Sequence, residues 1–364
     1  MDNSKRKYGI DLLRIIAVVM IVILHCFSQG GLLNNCVSMS KQDWFCVIMS
    51  SFTYAGVDIF ALISGYLAYN NAKVKYARYF ELWLTVVFYC IFVGYILCYI
   101  KPEYSFKKNL IIMVTPVSSN SYWYFTAFTG LYIIKPLINK GLVACEEQIL
   151  KKLFIVIFLF YSVYSMIFDV FGLNRGYSVL WIILLYIMGF IVNKCGIFRK
   201  RKTIILLLIL GVLVAITIFS DFIIKQTDTV WGHIDRDMLL SYLSPTVLLV
   251  SIIMLVLFSR IKLNEKIGKY IKLITMTSFS VYLVNCHPIF FQAILKDMFI
   301  SYFDKPVLVI LFNVLRFSLI FCVFVMVFDI LRNKLFKLCR VDKLAEGMEN
   351  ILRKAVGKAT ILLK

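Results

Sequence analysis

Long apolar stretches alternate with short polar ones along most of the chain. Each apolar stretch has about twenty residues, the length that an α-helix needs to cross about 30 Å of hydrocarbon. The pattern therefore predicts an all-α protein, a polytopic membrane helix bundle of about ten transmembrane helices. The predicted spans are residues 9–28, 46–69, 79–100, 121–139, 152–172, 177–194, 203–222, 239–259, 278–299 and 306–331.

The charges of the intervening segments predict the orientation of the bundle. With the N-terminus inside, the inner segments carry about three times as many Lys and Arg residues as the outer segments, as the positive-inside rule requires. Both termini of this multi-pass protein of the cell (plasma) membrane are therefore expected in the cytoplasm. Apolar residues at helical spacing predict an amphipathic tail on the inner membrane surface (Leu344, Met348, Ile351, Ala355 and Ala359).

Composition agrees with a membrane domain and argues against a nucleic-acid-binding protein. Hydrophobic residues make up 61% of the chain and charged residues 16%, which is far more apolar than a soluble domain. The net charge of +20 lies in short clusters between the apolar stretches. These clusters are typical of topology signals and of contacts with anionic headgroups, so the expected partner is the lipid bilayer.

Most of the ten cysteines lie inside apolar stretches, where they are expected to pack as small buried side chains. Cys36 and Cys46 differ, because both fall on the predicted outer side of the membrane. They could form a disulfide there, although their spacing alone does not decide whether they do.

Ionisable side chains inside spans are costly in hydrocarbon, so they are candidates for function. In the first span, Asp11, Arg14 and His25 fall within roughly 60° of one another on the helix. Asp11 and Arg14 are one turn apart, and His25 lies about 20 Å further toward the outer side. This stripe of three residues on one helix face is also compatible with a structural ion pair and an interfacial histidine. The other ionisable residues within predicted spans are Asp58, Glu81, His287, Arg316 and Asp329.

The other two histidines lead to different expectations. His287 precedes Pro288, which should kink the ninth span, and Arg316 is predicted at a similar depth in the tenth. This pair could supply a hydrogen-bonding group or only a polar packing contact. His233 is expected to be a solvated residue of the outer loop.

Several catalytic and binding motifs are absent from the sequence. It has no H-E-x-x-H or paired C-x-x-C pattern, no Walker loop, no G-x-G-x-x-G and no G-x-S-x-G. These absences argue against a metal site, an ATP-driven pump and serine-hydrolase chemistry.

Four short motifs occur in order along the chain. They are Asp11-Leu12-Leu13-Arg14 with His25 in the first span, Gly56-Val57-Asp58-Ile59-Phe60 with Ser64-Gly65-Tyr66-Leu67 in the second, Trp123-Tyr124-Phe125 with Tyr132 and Pro136 in the fourth, and Ser278 to Pro288 in the ninth. These motifs resemble those of the acyltransferase-3 family of integral membrane O-acyltransferases. The overall pattern is most similar to O-acetyltransferases of bacterial surface polysaccharides.

The sequence departs from this family pattern at two places. The family usually carries R-x-x-R near the inner start of the third span, where this chain has Lys75 and Arg78. Lys75 keeps the positive charge but not the bidentate fork of arginine. The family's ninth-span histidine usually lies three residues after the tyrosine, a position held here by Asn285. His287 lies two residues further, about 200° around the helix.

The resemblance implies an enzyme that takes an acyl group, commonly acetyl, from acyl-CoA on the inner side. Arg14, Lys75 and Arg78 would bind the CoA phosphates. His25 would be the catalytic base, because an imidazole titrates near working pH. Acyl-CoA would be a donor substrate, with no permanently bound cofactor. Supporting roles would fall to Asp11, Asp58, Ser64, Trp123, Tyr124, His287 and Arg316.

The function expected from this resemblance is transfer of an acetyl group to a hydroxyl of a cell-surface polysaccharide or its lipid-linked precursor. Residues 1–332 would be the transmembrane acyltransferase domain and 333–364 the basic cytoplasmic tail. The alternative is a glycolipid or polysaccharide transporter or flippase, which would predict broken helices in matching halves. Only the Pro288 break is evident. A purely structural or sensory membrane protein is a third possibility.

Overall fold

All regular secondary structure in the described residues is helical, which confirms the predicted all-α class. The computed structural model describes residues 6–69, 74–168, 170–227 and 238–362, so His233 lies outside the described residues. The α-helices are α1 (Tyr8–Phe27), α2 (Leu32–Asn35), α3 (Lys41–Thr53), α4 (Ala55–Ala68), α5 (Tyr76–Ile100), α6 (Phe106–Val114), α7 (Trp123–Ala144), α8 (Glu147–Val156), α9 (Ser165–Phe168), α10 (Val179–Lys194), α11 (Thr203–Thr227), α12 (Pro245–Ser259), α13 (Glu265–Asn285), α14 (Pro288–Phe290), α15 (Val307–Leu338) and α16 (Val341–Leu362).

Six helical segments of the described chain are long and apolar enough to cross a membrane alone. A seventh candidate is the pair Glu265–Asn285 and Pro288–Leu295, which is bent by 58°. The chain is thus a membrane protein, but ten independent spans are not confirmed. The six segments are Tyr8–Asn35, Lys41–Ala68, Tyr76–Ile100, Glu147–Phe168, Thr203–Ile224 and Val307–Leu338.

The remaining three predicted spans correspond to helices that fall short in length or apolar character. Helices α10 and α12 have 16 and 15 residues, or roughly 24 Å, less than the hydrocarbon thickness of about 30 Å. Both are largely buried among other helices, so protein surrounds them in place of lipid. Helix α7 has 22 residues but contains Lys135, Pro136 and Lys140.

The ninth span differs most from its predicted bounds. Helix α13 begins at Glu265 and not near 278, because the helix continues through a basic stretch that the hydropathy pattern excluded. The predicted kink at Pro288 is confirmed by the 58° bend. Pro288 opens the next helical piece, where its missing N–H costs no hydrogen bond.

Helices α4 and α10 approach each other closely through two glycines. A Cβ atom on Gly65 would lie 1.8 Å from the carbonyl oxygen of Tyr186, and one on Gly189 would lie 2.0 Å from that of Leu62. Small residues allow such close backbone contact between membrane helices. This contact holds α4, and therefore the second-span motif, against the centre of the bundle.

We expect Gly65→Val to destabilise the bundle by about 3 kcal/mol or more, since the added side chain would have to displace backbone. Thermal unfolding of the purified protein in detergent measures the effect. Gly141→Val is the matched control, because no atom lies within 4 Å of a Cβ at that helical glycine. Equal unfolding temperatures for the two variants would contradict the close contact.

The two cysteines that the sequence predicts on the outer side lie side by side in the fold. The Sγ atoms of Cys36 and Cys46 are 3.6 Å apart. We expect mild oxidation to join them, so that each chain loses two maleimide-reactive thiols. Mass spectrometry of labelled, non-reduced protein measures this, with the exposed Cys339 as the thiol that stays reactive. Full labelling of both residues after oxidation would contradict the prediction.

The tail forms the helix that its apolar spacing predicts. Helix α16 packs against α5 with Ala345 buried, while Leu344 and Ile351 remain exposed. Helix α15 continues to Leu338, so its last six residues, 333–338, fall within the predicted tail. The location of α16 on the inner membrane surface and the orientation of both termini stay predictions.

Candidate active site

The imidazole of His25 lies in the last turn of α1 and is held by the end of α13. Its Nδ1 atom is 2.5 Å from Oδ1 of Asn285, the last residue of α13. Because an amide oxygen only accepts, the neutral ring donates from Nδ1 and leaves Nε2 as an acceptor. Nε2 makes no hydrogen bond within the described part of the chain.

Two residues that follow Asn285 in the chain, Cys286 and Phe291, also contact the His25 ring. Phe291 meets it edge-on, with ring centroids 5.1 Å apart, and Sγ of Cys286 lies 4.0 Å from Nδ1. These residues reach one ring because the chain bends at Pro288, just after α13. The break in the ninth span therefore builds the surroundings of the histidine.

A narrow cavity extends inward from His25 through the centre of the bundle. It has about 30 Å³ of room for the centre of a water molecule, enough for one or two waters. Tyr124, which lines it, lies within electrostatic range of both Arg14 and Asp58. The cavity is lined by Ile21, His25, Val57, Phe60, Trp123, Tyr124, Tyr242, Phe279, Tyr282 and Cys286.

A larger vestibule adjoins the narrow cavity and shares His25, Tyr282 and Cys286 with it. It lies among span ends that the charge pattern predicts to face outward. Its volume is about 530 Å³. Trp123 lies 4.6 Å from Tyr177 and 5.8 Å from Tyr242 between ring centroids. Beside these rings stand uncharged polar side chains, and among the described residues no Asp, Glu, Lys or Arg lines the vestibule. The polar ones are Ser119, Asn120, Ser121 and Gln292.

Tyr282 lines both cavities together with His25. Its side chain is 7% exposed, and its hydroxyl proton has no acceptor among the described residues. A buried donor without an acceptor costs free energy, roughly 1–3 kcal/mol. Such a group is available to a ligand in the cavity.

The inner end of the first span carries a carboxylate between two arginines. Asp11 accepts two hydrogen bonds from Arg6, at 2.6 and 3.0 Å, whereas Nη1 of Arg14 is 3.9 Å from its Oδ1. Arg6 is therefore the main partner of Asp11. Most of the N–H groups of Arg14 have no acceptor among the described residues, and its side chain is 28% exposed.

Arg14 belongs to a wider group of cations at the predicted inner mouth. Arg6 and Arg78 are close enough to Arg14 for their charges to repel it, and Lys135 is close enough to Arg78 for the same repulsion. The ammonium of Lys135 sits 4.9 Å from the ring centroid of Tyr132. The sequence patterns did not single out Lys135 as a site residue. Its position one turn from Tyr132 could have suggested this cation–π contact.

Helix α5 begins between Lys75 and Arg78, and a carboxylate from α16 caps it. Oε2 of Glu349 accepts the backbone N–H of Ala77 at 2.8 Å. Burial acts to raise the pKa of Glu349, but the bonds from Ala77 and from Arg353 outweigh it and hold that pKa below its usual range. The carbonyl of Lys75 accepts from the Tyr132 hydroxyl at 3.1 Å. The start of α5 is thus fixed from two sides, with the Lys75 and Arg78 side chains exposed.

The second-span motif lies just behind the narrow cavity. Asp58 is fully buried, and its Oδ1 accepts from Nε1 of Trp181 at 3.3 Å, while Oδ2 has no partner among the described residues. The hydroxyl of Ser64 donates to the carbonyl of Phe60 at 3.0 Å. These contacts support the wall of the cavity, and neither side chain lines it.

His287 and Arg316 do not reach the site. His287 is 2% exposed, and its Nε2 lies 3.1 Å from the carbonyl oxygen of Cys90, outside both cavities. Arg316 is exposed on the outside of the bundle and stacks on Phe312 at 5.9 Å. The expectation of a buried histidine–arginine pair is wrong, because residue 316 lies on the exposed face of α15.

The ordered motifs and the site that they build agree with one family. The sequence matches the family model described as an acyltransferase domain over residues 7–331. The chain belongs to the acyltransferase-3 family. As a member, it is a membrane acyltransferase. Comparisons with curated proteins and with solved structures give no significant match.

Within this acyltransferase-3 protein, Asn285 stands where the family usually has a histidine and is the partner of His25. The sequence marked the position but not the contact. We expect Asn285→Leu, which removes the acceptor and keeps the number and branching of the non-hydrogen side-chain atoms, to lower kcat by about 100-fold through misorientation of the imidazole. Asn285→Asp, which restores an acceptor, should recover most of the rate. Steady-state assays with KM for acyl-CoA measure both, and equal losses in the two variants would contradict the positioning role.

Proposed function

We propose that the protein is an O-acetyltransferase that moves an acetyl group from acetyl-CoA to a hydroxyl of a cell-surface polysaccharide or its lipid-linked precursor. The observation that carries this proposal is the position of His25, which lines both the narrow inner cavity and the outer vestibule. A base at that junction can meet a donor from one side and an acceptor from the other. The protein would work in the plasma membrane, with its termini in the cytoplasm.

The inner cations suit the donor. Coenzyme A is polyanionic, so its phosphates need positive charge where the molecule enters. Arg14, Lys75 and Arg78 would supply it, and Lys135 joins them through its proximity to Arg78. The pantetheine arm would then follow the narrow cavity toward His25. Because that cavity has room for only one or two waters, its side chains must move apart to admit the arm.

The outer vestibule suits a glycan. Sugars present apolar faces that stack on aromatic rings and hydroxyls that pair with amides and hydroxyls. Trp123, Tyr177 and Tyr242 would supply the rings, and Asn120 and Gln292 the amides. The described residues of its lining include no Asp, Glu, Lys or Arg, which favours an uncharged portion of the acceptor.

The proposed step needs no permanently bound cofactor. The acceptor oxygen attacks the thioester carbonyl carbon while Nε2 of His25 takes the hydroxyl proton. The Tyr282 hydroxyl donates to the oxyanion of the tetrahedral intermediate. The carbon–sulfur bond then breaks, and the CoA sulfur leaves and takes the proton back from the imidazolium. The products are the ester and free CoA.

The decisive experiment uses purified full-length protein and acetyl-CoA labelled in the acetyl group. A transferase releases free CoA and passes label to an added glycan acceptor, whereas a transporter or flippase leaves the thioester intact. Mass analysis of surface glycans from cells with and without the protein identifies the acetylated sugar. An unchanged glycan mass together with intact acetyl-CoA would overturn the proposal.

A further inference from the structure

A second cavity, separate from the two that meet at His25, lies at the inner ends of four helices. It has a volume of about 130 Å³ and lies between the start of α1 and the ends of α4, α10 and α12. Three of its eight lining residues are cationic, and none is acidic. They are Lys7, Tyr66, Val192, Ile197, Arg199, Val256, Ser259 and Arg260.

Arg260 is the rigid member of the cavity wall. Its guanidinium donates to the carbonyls of Phe198, Arg199 and Arg201 and to the hydroxyl of Thr203. These bonds fold the loop after α10 around the guanidinium. The positive charge of Arg260 is therefore fixed in place before any ligand arrives.

Lys7 and Arg199 are held by neutral partners. The Lys7 ammonium donates to the Tyr66 hydroxyl at 3.2 Å, and Nη2 of Arg199 lies 3.4 Å from Oδ1 of Asn193. No ion pair neutralises Lys7, Arg199 or Arg260 within the described part of the chain. Three cations around one cavity repel one another, so an anion that enters gains from all three.

We propose that this cavity binds a phosphate group at the inner face of the membrane. The guanidinium of Arg199, the ammonium of Lys7 and the hydroxyl of Tyr66 are donors that phosphate oxygens accept. They come from three separate elements, which can surround a tetrahedral anion on several sides. The chemistry is common to two sources, a phosphomonoester of the donor and the headgroup of an anionic lipid.

The position of Lys7 favours the donor. Lys7 immediately precedes the first residue of α1 and lies seven residues before Arg14, so the two positions are about 10 Å apart along the helix axis. A CoA molecule whose diphosphate meets Arg14 would extend its nucleotide end toward Lys7. The 3′-phosphate at that end is the group expected in the cavity, and this assignment rests on the proposed function.

The test compares two donors that differ only in that phosphate, acetyl-CoA and acetyl-3′-dephospho-CoA, on the full-length protein. The variant is Lys7→Gln with Arg199→Gln, which leaves the loop-folding Arg260 intact. The matched control is Lys200→Gln with Lys202→Gln, which removes two charges from the same loop outside the cavity. Equilibrium binding gives the donor affinities, and native mass spectrometry gives binding of phosphatidylglycerol against phosphatidylcholine.

We expect wild type and control to bind acetyl-CoA about tenfold more tightly than the dephospho form, and the cavity variant to lose that preference. A variant that instead loses only its phosphatidylglycerol adducts assigns the same cavity to lipid. If the variant matches the control in both donor affinity and phosphatidylglycerol binding, the proposal of a phosphate site is overturned. If wild type binds neither CoA ester, the proposed function fails, while the lipid measurement still decides the cavity.

Discussion

Replacing His25 with alanine is expected to lower acetyl transfer by about 10²–10⁴-fold, the range that a general base contributes. Binding of acetyl-CoA should remain largely intact, because the proposed phosphate contacts involve Arg14, Lys75 and Arg78 at the predicted inner mouth, whereas the imidazole lies where the two cavities meet. Turnover of labelled acetyl-CoA with acceptor and equilibrium binding of acetyl-CoA measure the two effects separately.

A matched control removes a different imidazole. His233→Ala takes away the histidine that the sequence predicts in an outer loop, and it should leave turnover unchanged. If His25→Ala instead weakens acetyl-CoA binding as much as it slows transfer, His25 is a binding residue and not the base.

The second large effect is expected from Tyr282→Phe, which removes one oxygen atom from the junction between the cavities. The loss of an oxyanion donor should lower kcat by about 10²–10³-fold with little change in KM. The rings of Tyr122, Tyr124 and Phe279 pack around Tyr282, and a phenylalanine keeps those contacts. Steady-state kinetics measures the change.

The folded state provides the control for Tyr282. Its hydroxyl makes no hydrogen bond with the described residues. The Tyr282→Phe variant should therefore unfold at the same temperature as wild type or slightly above it. A variant that is both active and equally stable would leave the hydroxyl without a role in transfer, and another donor would have to hold the oxyanion.

Periodicity and hydropathy predicted much of the fold because the membrane imposes a length and a composition on each helix. They predicted the first helix within one residue at each end, as Tyr8–Phe27 against 9–28. They also predicted the kink at Pro288, which has a local cause in the proline ring. They failed for the start of α13, since a helix can run past the hydrocarbon into a basic segment.

The candidate site was predictable only where its residues share one helix. The stripe of Asp11, Arg14 and His25 follows from helical geometry alone. Contacts between helices do not, because rotation of each helix about its axis is set by packing. Hydropathy therefore could not indicate that Arg316 faces outward or that Asn285, 260 residues from His25, holds its ring.

The carboxylate at the start of α5 comes from much later in the chain. Glu349 follows Ala77 by 272 residues, so the ribosome must add all of these residues before that helix end receives its acceptor. Early helices can enter the bilayer in order, yet the start of α5 beside Arg78 is capped only after α16 has been made. Translation products released before Glu349 would carry His25, the proposed base, and still leave the backbone donors beside that arginine uncapped.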